Sequence, residues 1–222
     1  TSLFVIVPTA VAGILAYHKS RMVVWRVALP MAATAILAAV AGVQLAVRLP
    51  PEILKAGFGA FLFVSGLNLL GSSRKDAGIS DQGISQRRLG AAVLGGFLVG
   101  LITSLLGVGG GIVAIPLLIY LVRLDVKQVA ATSLGIVVFS AVVAASTYVV
   151  TGWGHPELPP GSAGYVFLPA GLALLPGAVF FARFGVRLNQ RLNPRALKIL
   201  FGLVFLIIGL RLFLENIRGA LA

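Results

Sequence analysis

Three successive glycines inside an apolar stretch, Gly109-Gly110-Gly111, are the residues of this sequence best placed to do chemistry without a charged side chain. They close the run Gly107-Val108-Gly109-Gly110-Gly111, and Pro116 follows in another apolar run. A glycine in a helix costs about 1 kcal/mol relative to alanine, so the cluster predicts a helix break framed by Gly107 and Pro116. Such a break frees backbone groups that lipid cannot satisfy, and it is tolerated where it lines a cavity. As the start of a half-helix, Gly109 to Gly111 would aim their amides and the positive end of the helix dipole at that cavity, which suits an anion. The hydroxyls of Thr132 and Ser133, and of Thr1 and Ser2, each open an apolar segment and could donate to the same anion. Helix capping is the alternative for these hydroxyls. For the glycines the alternative is close helix packing at Gly-xxx-Gly spacing, which Gly96 and Gly100 also fit. A dinucleotide-binding loop is excluded, because no strand precedes the motif and an apolar helix surrounds it.

The remaining polar residues offer less. Asn68, Gln44 and Arg211 lie near segment ends, where snorkelling to the interface is the default, and His18 and His155 flank segments as interfacial residues. All six acids, Glu52, Asp76, Asp81, Asp125, Glu157 and Glu215, fall in loops or at segment ends. A proton relay normally uses embedded carboxylates or histidine, and none is evident. With no cysteine, no Ser-His pair at membrane depth and no metal-ligand cluster, an enzyme is not expected, nor is a cofactor or metal.

The elements that must position these groups are membrane helices. Of 222 residues 59% are hydrophobic and 11% charged, against roughly a quarter charged in a soluble domain. A bilayer core about 30 Å thick needs roughly 17 to 25 apolar residues per helix. Stretches 26–47, 53–71, 89–106, 129–150, 164–185 and 195–214 qualify, all without Asp or Glu. Residues 1–17 form a further segment, without the basic leader or cleavage site of a signal peptide. The return arm 110–122 spans only about 20 Å as a helix, which favours a re-entrant hairpin or broken helix. The 18 Lys and Arg against 6 Asp and Glu give +12. That balance reads as basic cytoplasmic loops rather than a nucleic-acid surface.

The sequence repeats itself. Thr1-Ser2-Leu3 recurs as Thr132-Ser133-Leu134, both segments run on to a tyrosine (Tyr17, Tyr148), and Pro30 pairs with Pro169. Pro51, Leu54, Lys55, Phe58, Gly59, Gly66, Leu67 and Leu69 match Pro194, Leu197, Lys198, Phe201, Gly202, Gly209, Leu210 and Leu212 at a constant offset of 143. The expected organisation is a first repeat over 1–71, a basic cytoplasmic linker over 72–88 and a second repeat over 89–214. The second unit has about 40 residues before its Thr-Ser-Leu that the first lacks, so the expectation is a first repeat that is incomplete at its N-terminus. If 89–122 returns the chain to the side it left, 14 of the 18 basic residues collect on one side, as the positive-inside rule asks. The two units then run in opposite directions. Inverted repeats of this kind mark secondary transporters that alternate access around a site at the repeat interface.

Gly107-Val108-Gly109-Gly110-Gly111, Pro116-Leu117-Leu118 and Ala131-Thr132-Ser133-Leu134, in that order and with the duplication, closely resemble the signature of the TauE/SafE sulfite exporter family, also known as DUF81 or TSUP transporters. The resemblance covers essentially the whole chain. It implies an all-α polytopic membrane protein in a bacterial plasma membrane that exports a small anion, with sulfite, organosulfonates and related sulfur compounds as the substrate class. The expected site comprises Gly109, Gly110, Gly111, Thr132 and Ser133 with Thr1 and Ser2 facing them. The expected partners are that anion, membrane lipid and a second copy in a homo-oligomer, and no nucleic acid. An anion channel with a glycine-lined pore is the alternative.

Overall fold

A computed structural model describes residues 1–18, 20–71, 86–107, 109–156 and 158–221. Most of the expected linker, 72–85, lies outside the described residues. The chain is a helical membrane protein. Its helices are α1 (Ser2–His18), α2 (Trp25–Ala46), α3 (Pro51–Gly71), α4 (Gln86–Leu106), α5 (Gly111–Leu117), α6 (Val126–Thr151), α7 (Leu168–Arg191) and α8 (Pro194–Leu221). A π-helical turn over Leu118–Val122 continues α5, and two short strands, β1 (Ser162–Ala163) and β2 (Val166–Phe167), pair antiparallel between α6 and α7. Helices α2, α6, α7 and α8 are long and apolar enough to cross a bilayer, and shorter apolar stretches lie in α1, α3 and α4. Exposed large apolar side chains such as Leu37, Phe180, Phe181 and Ile207 suit a lipid solvent.

Small residues set how closely the helices approach. An added methyl at Gly96 would sit 2.6 Å from Met31 Cα, one at Gly100 would strike the Ala35 backbone, and one at Gly42 would strike Ser104. These contacts advance along α2 and α4 together, so the two helices run parallel. Helices α3 and α8 run antiparallel instead: Gly59 lies against Gly209, and Gly66 against Gly202. Helix α1 also runs against α6, with Tyr17 packed beside Ala131 and Leu3 in one cluster with Ala144. Helix α6 lies at the centre, more than half of its spanning window buried, while only 11% of the window of α7 is.

Hydroxyls within the helices donate to their own backbone, Thr9 to Val5 O (2.7 Å), Ser104 to Gly100 O (2.8 Å) and Thr147 to Val143 O (2.8 Å). A polar side chain in a lipid-facing bundle is satisfied in this way without a partner helix. At one end of the molecule the end of α1, the start of α6 and the end of α7 are tied together. Gln190 Nε2 donates to Ser20 Oγ (2.9 Å), and Lys127 Nζ to Gln190 O (3.3 Å). The strands, the end of α6 and the start of α1 occupy the other end, where Phe167 N donates to Thr1 Oγ1 (3.0 Å).

Two helices depart most from the sequence expectation. Helix α7 begins and ends later than 164–185, because the hairpin takes up residues 162–167 and the helix continues through Arg187 to Arg191. Helix α8 runs on past 214 to Leu221, with Arg211 and Glu215 paired one turn apart (2.8 Å) on its exposed surface.

Candidate functional site

The glycine run is a sharp turn between α4 and α5. Gly107 and Gly109 take left-handed backbone, φ +64° and φ +67°, which glycine alone adopts at little cost. Gly107 N donates to Thr103 O (2.9 Å) and closes α4. Gly110 abuts α4, where a Cβ would strike the Thr103 hydroxyl and lie 2.8 Å from Val99 Cγ1. Across the turn, Ile6 of α1 covers Gly109. Gly111 opens α5 with nothing within 4 Å of where its Cβ would be. The first-turn amides of the arm beginning there have no acceptor within their own helix. Pro116 is buried within α5, and the π turn that follows ends at Arg123 in the left-handed conformation, φ 63°.

Two cavities lie on opposite sides of this turn, with no lining residue in common. The larger, about 480 Å³, is bounded by α1, α5, α6, α7 and α8. Gly109, Gly111, Ser133, Thr9, Tyr17 and Asn189 are its polar or backbone-exposing members; aliphatic side chains and Phe201 make up most of the rest, and among the described residues none that lines it is charged. The smaller, about 180 Å³, lies between Thr1, Ser2, Gly107, Tyr148 and Tyr165. It sits at the start of α1 and the end of α6, whereas the larger sits at the end of α1 and the start of α6. A neighbouring groove of about 530 Å³ carries Arg183, Arg187, Ser20 and Gln190 and shares Val186 with the larger cavity.

The expected site residues are thus divided. Gly109, Gly111 and Ser133 share the larger cavity; Thr1, Ser2 and Gly107 share the smaller. Gly110 packs on α4. Thr132 is fully buried, and its Oγ1 accepts from Val24 N (3.1 Å), holding the entry to α2 against α6. Thr132 and Ser133 lie in the second turn of α6 and cap nothing there; Asp125 is the cap, its Oδ1 accepting from Lys127 N (2.8 Å). Ser133 Oγ donates to Ala130 O (2.9 Å). Of the weaker candidates, Asn68 donates to Val64 O (3.0 Å) on an exposed face, and the His155 ring lies 5.8 Å from that of Tyr165. The side chain of His18 lies outside the described residues.

Two polar residues that the sequence did not single out are buried here without hydrogen bonds among the described residues: the Thr103 hydroxyl behind Gly110, and both carboxamide atoms of Asn189. Asn189 follows Arg183 and Arg187, so a search for uninterrupted apolar runs stops before it. The signal that finds it is helical spacing: Ala182, Gly185, Val186 and Asn189 share the cavity face of α7.

Residues 1–212 match the family described as sulfite exporter TauE/SafE. A probable membrane transporter protein of Methanocaldococcus jannaschii is 26% identical over 215 residues, covering 96% of this chain and 78% of the relative. A probable membrane transporter protein of Haemophilus influenzae is 26% identical over 216 residues, covering 97% and 80%. The probable membrane transporter protein YunE of Bacillus subtilis is 24% identical over 233 residues, covering 98% and 80%. No solved structure matches the chain.

Proposed function

The chain belongs to the sulfite exporter TauE/SafE family and is a multi-pass membrane transporter, and from that premise we propose that it exports a small sulfur-containing anion, such as sulfite or an organosulfonate, across a bacterial plasma membrane by alternating access between two inverted repeats. The observation that carries this reading is the pair of separate cavities on either side of the glycine turn. A carrier needs access from each side in turn and a barrier between; Ile6 across Gly109 is that barrier.

The pairing of the units also supports it. The smaller cavity joins Thr1 and Ser2 to Tyr148, and the larger joins Ser133 to Tyr17, so each pairs the Thr-Ser motif of one repeat with the matching tyrosine of the other. In α3 and α8, the contact of Gly59 with Gly209 becomes the contact of Gly202 with Gly66 when each residue is replaced by its repeat partner. That reciprocity is what a two-fold axis in the membrane plane requires.

An anion in the larger cavity would meet the amides around Gly109 and Gly111 and the Ser133 hydroxyl. Thr132, tethered to Val24, positions Ser133 rather than binding. Arg183 and Arg187 on the adjoining groove raise the local anion concentration without fixing a charge inside. The end bearing Ser20, Lys127 and Gln190 is the cytoplasmic one on the distribution of basic residues.

Flux into proteoliposomes tests this across sulfite, sulfoacetate, thiosulfate and chloride. The expected outcome is saturable movement of at least one sulfur oxyanion, lost in Gly111→Leu, whose side chain enters the cavity rather than α4. Flux that stays linear with concentration would establish a channel instead. Unchanged flux in Gly111→Leu, or no movement of any sulfur oxyanion, would overturn the reading.

A further inference from the structure

Asn189 is the polar side chain that this fold leaves unexplained. It is 6% exposed in the last turns of α7, on the wall of the larger cavity, and neither Oδ1 nor Nδ2 has a hydrogen-bond partner among the described residues. Buried amides are satisfied almost without exception in native proteins, since an unmade pair of bonds is costly. The neighbouring amides show how readily that is arranged: Gln190 Nε2 donates to Ser20 Oγ, and Asn193 Oδ1 accepts from Ala196 N (2.7 Å). Around Asn189 the wall is Val186, Leu188, Leu192 and Leu197. A leucine would suit that wall better if packing were its only task.

We propose that Asn189, turning from the position in which both carboxamide atoms are covered, is a specificity-determining contact of the transport site, donating from Nδ2 to an oxygen of a singly charged oxyanion and accepting at Oδ1 from a hydroxyl that the same ligand carries. The inference rests on the transport reading and narrows it. Among the described residues the cavity wall carries no charged side chain, and the cost of removing an ion from water grows with the square of its charge, so a second negative charge on the ligand is disfavoured against that wall. A carboxamide also differs from an amide-only anion site in presenting an acceptor. An oxyanion without a hydrogen of its own leaves Oδ1 unpaired and repels it. The site therefore selects for a monoanion that brings a donor.

The test uses a matched pair of probes, 2-hydroxyethanesulfonate and ethanesulfonate, which differ by one hydroxyl. Saturable uptake into proteoliposomes is measured for the full chain and for Asn189→Leu, with hydrogensulfite as a third substrate. The wild-type protein is expected to favour the hydroxylated sulfonate in Vmax/KM by roughly ten-fold, the discrimination of one buried hydrogen-bonding group. Asn189→Leu is expected to bring the ratio close to one, mainly by raising KM for the hydroxylated probe. The ratio reports recognition, because a purely structural role would lower both fluxes together. Asn189→Ala reads the same ratio where the leucine variant does not fold. An unchanged ratio, or a wild-type ratio of one, overturns the assignment of Asn189 while transport stands. Failure of the wild-type protein to move any of the three anions overturns the transport reading and this inference with it.

Discussion

The two cavities are assembled from matching residues and differ in what becomes of their polar groups. In the smaller, the protein satisfies them itself: Thr1 Oγ1 accepts from Phe167 N, Tyr148 OH donates to Ser104 O (2.8 Å), and the Tyr148 and Tyr165 rings meet edge to face at 6.4 Å. The hairpin is folded down on this cavity, with Gly164 at φ 52° where any Cβ would strike Val149 O. In the larger cavity Thr9 and Ser133 are likewise bonded to their own helix, but the Asn189 carboxamide is unmet and Gly111 faces open space. Under the alternating-access reading proposed above, the larger cavity is the receptive one and the smaller, with the hairpin across it, the more closed.

Filling the receptive cavity should have the largest effect. Gly111→Leu is expected to lower flux by at least ~100-fold, the scale set by a misplaced or excluded substrate, with the folded protein still eluting as the wild type in detergent. Gly110→Leu makes the instructive contrast: its side chain enters α4 at Thr103 and Val99, so it should reduce the yield of folded protein, at about 1–3 kcal/mol of overpacking strain. Equal yields for the two variants would dissolve the distinction between the glycine that packs and the glycine that opens.

Loosening the closed cavity should come next. Gly164→Val forces a β-branched residue into left-handed backbone against Val149 O, at a cost of order 1–3 kcal/mol, which lifts the hairpin from Tyr148 and Thr1. Ser2→Cys in that background is expected to react with a water-soluble thiol reagent several-fold faster than in the parent. No change in rate would show that the hairpin does not close this cavity. The smallest effect belongs to the groove. Arg183→Gln with Arg187→Gln should raise the apparent KM for a sulfur oxyanion a few-fold at low ionic strength, and the difference should shrink as salt screens it.

Much of this fold is legible in the sequence because a bilayer simplifies the problem: apolar runs of spanning length become helices, and α2, α3 and α6 start and stop within a few residues of where the runs do. The turn at Gly107 to Gly111 is legible for the same reason, since successive glycines have few uses at that depth. What escapes the sequence depends on contacts between elements. Thr132 and Ser133 are adjacent and of similar chemistry, yet only the packing of the loop before α2 sends one to Val24 and leaves the other on the cavity. Asn189 is hidden by the arginines beside it, because helix α7 keeps one face apolar while its other face turns basic. The hairpin over the smaller cavity has only two residues in each strand, too few for alternation to register.

Transport by alternating access requires the two cavities to open to opposite sides of the membrane. The chain has no cysteine, so Ser2→Cys and Ser133→Cys each introduce a single thiol, and a membrane-impermeant thiol reagent can be applied to right-side-out and to inverted vesicles. Ser133→Cys is expected to be labelled from the face that carries Arg21, Arg123 and Lys127, and Ser2→Cys only from the opposite face. Labelling of both from the same face would contradict it.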